Sequence, residues 1–283
     1  MSANILAVFK AEYEYMSRVE RKIAERILTD PNRFIGCSLA EFSAATEVSQ
    51  GSIVNFSKKY STGGFSALKA AVADCLKSEA DTPFAVVDKS QGVKAAMEIK
   101  IRENMIAFQN TLALNDEKSM KQVVDKILSA KKIEIYGIFN SGIVATSFCY
   151  QLIQLGIPAT FVSDTLMCAI SASMLDKDSL VIAISASGRT KEILDAVKMA
   201  RNNGVSVICL TANGNSPLTQ VSDEVLLCAS SGMTVSDRSE EIRLSQYLIV
   251  DTLCAYLRSI TDQSGQTHYF KLREILNSHN VND

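Results

Sequence analysis

The chain has 283 residues, of which 47% are hydrophobic and 21% charged, with 29 basic against 31 acidic side chains. That length and balance exclude a disordered, collagen-like or membrane-spanning chain and leave room for one large or two modest domains. Only two histidines occur, His268 and His279, both in the last sixteen residues. Their position argues against a Ser-His-Asp triad and a histidine-based zinc site, so no catalytic, metal or cofactor residue is assigned.

Seven cysteines, an odd number with no Cys-x-x-Cys pair, stand mostly inside apolar runs. They fit reduced, buried thiols in a cytoplasmic protein. The apolar patch Ile5 to Phe9 and every later run fall short of the eighteen or so residues needed to cross a bilayer.

The first eighty residues read as a set of helices. Ser17-Arg18-Val19-Glu20 is a capping box, with Val19, Ile23 and Ile27 at helical spacing behind it and Pro31 as a stop. Ser38-Leu39-Ala40-Glu41 opens a second helix. Thr46-Glu47-Val48 is a tight connection, and Ser49 caps a third helix with Ile53, Phe56 and Tyr60 on its inner face. Thr62-Gly63-Gly64 breaks the chain before a fourth helix with Phe65, Leu68 and Val72. A short helix, a three-residue turn and a helix make a helix-turn-helix.

Polar breaks at Asp81-Thr82-Pro83 and from Asp88 to Gly92 mark a linker, followed by a helix from Val93 to Leu114. After Lys132 the pattern changes. Ile133–Ile138, Ala159–Val162, Leu180–Ser185, Val205–Leu210 and Val225–Cys228 read as strands, continuous rather than alternating in apolar character. Helices at Gly142–Leu155 and Lys191–Asn203 separate them, closed by Gly156 and Gly204. The expected class is an all-α helix-turn-helix domain followed by an α/β domain with a parallel, doubly wound, flavodoxin-like sheet.

Ser185-Ala186-Ser187-Gly188-Arg189-Thr190-Lys191-Glu192 places hydroxyls, a glycine and a helix start after a buried strand, which suits a phosphate dianion. A second turn, Tyr136 to Gly142, follows the first strand of the same sheet. Both turns also fit ordinary serine-capped connections, and neither is a Walker A or dinucleotide loop.

Taken together, the two turns resemble those of the sugar isomerase (SIS) domain, over about residues 120 to 262. The resemblance implies that Ser141, Ser185, Ser187 and Thr190, with Asn140 and Gly188, hold the phosphate of a phosphosugar. That first turn in the family reads Gly-x-Gly-x-Ser. Phe139 stands where its second glycine would be, and the expectation is that its ring narrows the pocket.

Leu39-Ala40-Glu41, Val48 to Lys59 and Gly64 to Lys69 resemble the helix-turn-helix of RpiR-type transcriptional regulators, which carry a SIS domain behind it. Arg243 to Leu253 is similar to the helix that closes that domain. The implied DNA-binding set is Ser49, Gln50, Gly51, Ser52, Asn55, Lys58, Lys59 and Lys69, where Gln and Asn suit base edges and the lysines suit phosphates. Asn55 departs from the family's usual arginine, which changes base preference or removes a backbone anchor.

The expected domains are 1–79 (DNA binding), 80–118 (linker and connecting helix), 119–264 (SIS) and 265–283 (tail). Ten basic against nine acidic residues up to Glu79 make a weak electrostatic footprint. Binding as a homodimer, or a tetramer, to an operator of two-fold symmetry would compensate for it. The expected function is a regulator of carbohydrate metabolism that senses a phosphorylated sugar. The alternative is a phosphosugar isomerase with Glu240 and Glu241 as candidate bases, read otherwise as solvated carboxylates near a helix start.

Overall fold

The structure, a computed structural model, describes residues 5–13, 16–61, 63–78, 92–231 and 239–278. The expected linker breaks between Asp81 and Gln91, and His279, lie outside the described residues. The chain divides into two compact units, Met1–Leu114 with Ala229–Ile242, and Asn115–Cys228 with Arg243–Asp283.

The first unit starts with α1 (Ile5–Glu12), α2 (Arg18–Thr29), α3 (Pro31–Gly36), α4 (Leu39–Thr46), α5 (Gln50–Tyr60) and α6 (Gly64–Ser78). Both capping boxes form: Ser17 accepts from the Glu20 amide and Ser38 from the Glu41 amide, and each glutamate reaches back to its serine amide. Pro31 is not only a stop. Its missing N–H and fixed φ suit the first position of a helix, and Asp30 caps the short α3 that follows.

These helices close around Phe9, Ile23, Ile27, Phe34, Phe42, Ile53, Phe56 and Leu68, all buried. Each contributes about 1.5–3 kcal/mol when removed from water. Phe34 packs edge-on against Phe42 at 4.9 Å and against Phe65 at 5.5 Å, the geometry that ring quadrupoles favour. Tyr60 is half-buried and its hydroxyl donates to Glu12 Oε2 at 2.6 Å. Further along, α7 (Gly92–Leu114) buries Ile99, Glu103, Ala107, Asn110 and Thr111.

The second unit runs α8 (Glu117–Ser129), β1 (Lys132–Gly137), α9 (Asn140–Gln154), β2 (Ala159–Val162), α10 (Thr165–Met174), β3 (Ser179–Ile184), α11 (Lys191–Asn202), β4 (Ser206–Thr211), β5 (Glu224–Leu227) and α12 (Ser239–Ser278), whose first residues belong to the other unit. The five strands are all parallel in the order β2-β1-β3-β4-β5. That is the expected doubly wound arrangement. The central strands are buried almost throughout and the edge strands only partly, which is why their apolar runs are continuous. With the right-handed crossovers that parallel strands adopt, this strand order puts α9 on one face and α10 with α11 on the other. On that second face Tyr136, Val181, Ala183 and Cys209 of the sheet pack with Cys168, Ala172, Ile193 and Val197.

The stretch from 265, expected as a tail, continues α12 as far as Ser278, and His268 falls on it. All seven cysteines are free thiols. Among the described residues no helix is long and apolar enough to cross a membrane, and no group of His, Cys, Asp and Glu is placed to hold a metal ion.

Candidate functional site

Gly137, at the end of β1, is in register with Ile184, at the end of β3. The turns that follow therefore leave the sheet side by side, at carboxyl ends of adjacent strands. Strand order also reverses here, since β1 leads outward to β2 while β3 leads to β4. Ligands of open parallel sheets collect at such a switch point.

The helix starts differ in one respect at this point. Ser or Asp side chains cap the first turns of α2, α3, α4, α5, α8 and α10. Those of α9 and α11 have no side-chain cap, although Thr190 stands at the cap position of α11. The Thr190 hydroxyl instead lies 3.0 Å from the Ser185 hydroxyl. Two helix amino termini, with partial positive charge and orphan amides, thus flank one spot.

The six expected effector residues fall on these two turns. Ser185 is buried, and its hydroxyl accepts from the Gly188 amide at 3.2 Å. Ser187 is half-buried and accepts from the Arg189 amide, while Arg189 is exposed beside it. On the other turn Asn140 is exposed as the first residue of α9, and Ser141 is buried against Gln246 of α12, whose Nε2 lies 3.4 Å from its hydroxyl. Gly137 permits this close turn: a Cβ there would stand 2.8 Å from the Ser141 carbonyl oxygen.

Sequence reasoning missed the loop after β4, which fixes the Ser185 turn in place. Ala212 donates its amide, and Thr211 its hydroxyl, to the Ala186 carbonyl, Asn213 Nδ2 donates to the Ser187 carbonyl, and the Leu218 amide donates to the Gly188 carbonyl. The polar run Thr211 to Ser216 at a strand end was the available signal, and Gln246 had one in lying, with Ser245, on an otherwise apolar helix stripe.

In the helical unit, Ser49 caps α5 through the Ser52 amide, and Ser52 donates to or accepts from its hydroxyl at 2.9 Å. Ile53 and Phe56 are buried, so Gly51, Asn55 and Lys58 share the outward side, with Gln50 exposed at the amino end. The lysines separate in character. Lys59 Nζ lies 2.9 Å from Glu20 Oε1, and Lys69 Nζ donates to the Cys37 carbonyl at 2.7 Å while standing over the Phe65 ring. Lys58 is the exposed cation of the outward strip.

Comparison with known proteins joins these two sites. The model of the rpiR-family helix-turn-helix domain matches residues 3–79, and that of the SIS domain matches residues 126–255. The chain belongs to the RpiR-type transcriptional regulators. An HTH-type transcriptional regulator of Caldanaerobacter subterraneus is 29% identical over 250 residues, covering 88% of this chain and 89% of its own. HexR of Pseudomonas aeruginosa is 28% identical over 274 residues, covering 96% and 95%. Among solved structures, Vibrio vulnificus NanR complexed with ManNAc-6P superposes with a TM-score of 0.61 at 24% identity, over 99% of this chain and 100% of that one. The sugar isomerase domain of an RpiR transcription factor from Sphaerobacter thermophilus gives 0.55 at 21% identity, over 62% and 96%.

Two expectations about this RpiR-type chain need correction. The Phe139 ring does not narrow a pocket, for it is 91% exposed. Its departure from glycine is felt in the backbone, at φ +52° and ψ −128°, a conformation that side chains disfavour. Glu241 is not solvated either. It is buried in the first turn of α12 and accepts the Ser231 amide at 2.6 Å, so the isomerase alternative loses one candidate base to a structural bond.

Proposed function

We propose that the α/β unit senses a phosphorylated sugar or sugar derivative, and that the helical unit binds operator DNA with two-fold symmetry as part of a homodimer. The observation that carries the effector reading is the pair of uncapped helix starts at adjacent strand ends, lined by Ser141, Ser185, Ser187 and Thr190. A phosphate dianion supplies what those termini lack, namely acceptors for their amides and negative charge. Asn140 and Gly188 complete the cradle. NanR, of the same overall fold, was solved with a phosphorylated N-acetylhexosamine, which makes that class the first to try.

On the DNA side, Gln50 and Asn55 read bases from the amino end and outward strip of α5, where Gly51 leaves room for close approach, with Ser49 and Ser52 at its start. Lys58 meets phosphate, and Lys59 and Lys69 join it only on leaving their present partners. Residues 1–79 form the DNA-binding domain and 119–264 the sensing domain. The effector changes DNA affinity by binding two dimer geometries unequally. Reduced thiols and a DNA target suit the cytoplasm.

The test is a thermal-shift screen of the full chain against hexose, hexosamine and pentose phosphates. A ligand at a hundred times its dissociation constant stabilises by about 2.7 kcal/mol. At least one should raise the melting temperature of the wild type and fail to do so for Ser187→Ala. A shift of equal size in Ser185→Ala and Ser187→Ala overturns the phosphate assignment.

A further inference from the structure

Two ion pairs run along one flank of α5, and neither the base-reading nor the effector role uses them. With Ile53, Phe56 and Ser57 buried, a step of about 100° per residue puts Gly51, Asn55 and Lys58 outward and Ser52 and Lys59 on the side facing α2. At the carboxyl end of that flank, Lys59 pairs with Glu20 of α2 at 2.9 Å. At its amino end, Lys22 of α2 pairs with Glu47 of the α4–α5 turn at 3.4 Å. Arg18, Lys22, Glu47, Ser49 and Ser52 line one groove there.

Stability does not account for the pair at the amino end. The Glu47 side chain is 84% exposed and that of Lys22 44%, and exposed pairs contribute little to folding. Glu47 also occupies the left-handed backbone region at φ +53°, ψ +37°, where Gly or Asn would sit without strain. A carboxylate is thus kept, at a backbone cost, beside the end of the helix that enters the groove. Duplex DNA carries one negative charge per about 1.7 Å of axis, so a carboxylate there repels it and a lysine held by that carboxylate neutralises no phosphate.

We propose that Glu47 and Glu20 are specificity-determining residues: they hold Lys22 and Lys59 off the phosphate backbone, lower the sequence-independent part of DNA affinity and leave discrimination to the outward strip of α5. The inference rests on the DNA-binding reading above. It also explains a helical unit close to electrical neutrality, because the cations flanking its reading helix are matched by carboxylates within the fold.

The experiment is fluorescence anisotropy of the full chain on two duplexes of equal length, the region upstream of its own gene and a scrambled version, between about 50 and 200 mM salt. Glu47→Gln and Glu20→Gln keep side-chain length, and glutamine preserves the capping box with Ser17. Each should tighten binding to the scrambled duplex and steepen the slope of log K against log salt by about 0.9 per engaged subunit. The advantage of each variant over wild type should grow from the high-salt to the low-salt end by about 3.5-fold per engaged subunit, about twelvefold for a dimer with both subunits engaged. Adding Lys22→Ala to Glu47→Gln should cancel the gain and bring the slope back to that of the wild type. Unchanged slopes in both glutamine variants, or a Lys22→Ala, Glu47→Gln double variant that keeps the steeper slope, overturn the proposal. If no form binds either duplex at the low-salt end, the DNA-binding reading itself falls, and the proposal with it.

Discussion

A Cβ on Gly188 would stand 2.2 Å from the Ser216 hydroxyl oxygen, while Gly188 itself holds φ at +62°. The loop after β4 is therefore pressed against the Ser185 turn at the one residue there that has no side chain. Gly188→Ala should cost about 3 kcal/mol or more, from overpacking together with a left-handed alanine. Adding Ser216→Gly should relieve the clash but leave about 1–2 kcal/mol of backbone cost, together with the lost bond from the Thr219 amide to the Ser216 hydroxyl. Urea unfolding checks both variants, and a Gly188→Ala protein as stable as wild type would show that the turn yields freely.

Phe139 holds a glycine-like backbone with a ring in solvent. Removing the ring loses little burial, so the strain dominates. Phe139→Gly should be more stable than Phe139→Ala by about 1 kcal/mol, since alanine keeps the strained conformation and glycine relieves it. The reverse order by thermal melting would contradict the strain.

Much of the fold was legible in the residues because parallel strands buried on both faces write continuous apolar runs, and because capping boxes are local. Four helices were not. The patch Ile5 to Phe9 is too short to show a period, α3 hides behind a proline read as a stop, and α8 and α10 lack a closing glycine of the kind that marks α9 and α11. The hydroxyls of the candidate site were legible for the same reason as the strands, since they follow strand ends directly. Its supports were not, because Asn213 and Gln246 reach Ser187 and Ser141 across 26 and 105 residues. Uncapped helix starts are likewise invisible in sequence: Thr190 reads as a cap, yet in the fold its hydroxyl turns to Ser185.

Glu134 is buried in β1, where it accepts from Tyr136 at 2.6 Å and from Ser171 at 2.5 Å and pairs with Lys132 at 2.7 Å. Burial opposes its charge, but Lys132 and the two hydroxyls outweigh it and hold the carboxyl below its ordinary value. With the folded pKa depressed, its stabilisation is complete above the unfolded value of about 4.3 and is lost as pH falls through the folded one. Glu134→Gln should cost about 1–3 kcal/mol at neutral pH and flatten the acid limb of stability against pH. An unchanged acid limb would show that other carboxylates set it.

Lys58 and Lys69 should behave differently on substitution. Lys58→Ala should flatten the salt dependence of DNA binding by about 0.9 per engaged subunit without changing the melting temperature. Lys69→Ala removes a bond to the Cys37 carbonyl and a cation above Phe65, so it should lower stability by about 1 kcal/mol. Equal effects of the two on DNA binding, with both melting as wild type, would contradict the division between them.

The most direct test of the account couples its two ends in one titration. The full chain, bound to a duplex from upstream of its own gene, is titrated with individual sugar phosphates while anisotropy reports the DNA. At least one phosphosugar should shift the DNA dissociation constant of the wild type by about 5- to 150-fold, and Ser187→Ala, still bound to DNA, should not respond to it. A response of the same size in wild type and Ser187→Ala, or none from any phosphosugar, would contradict a phosphate-sensing site between β1 and β3.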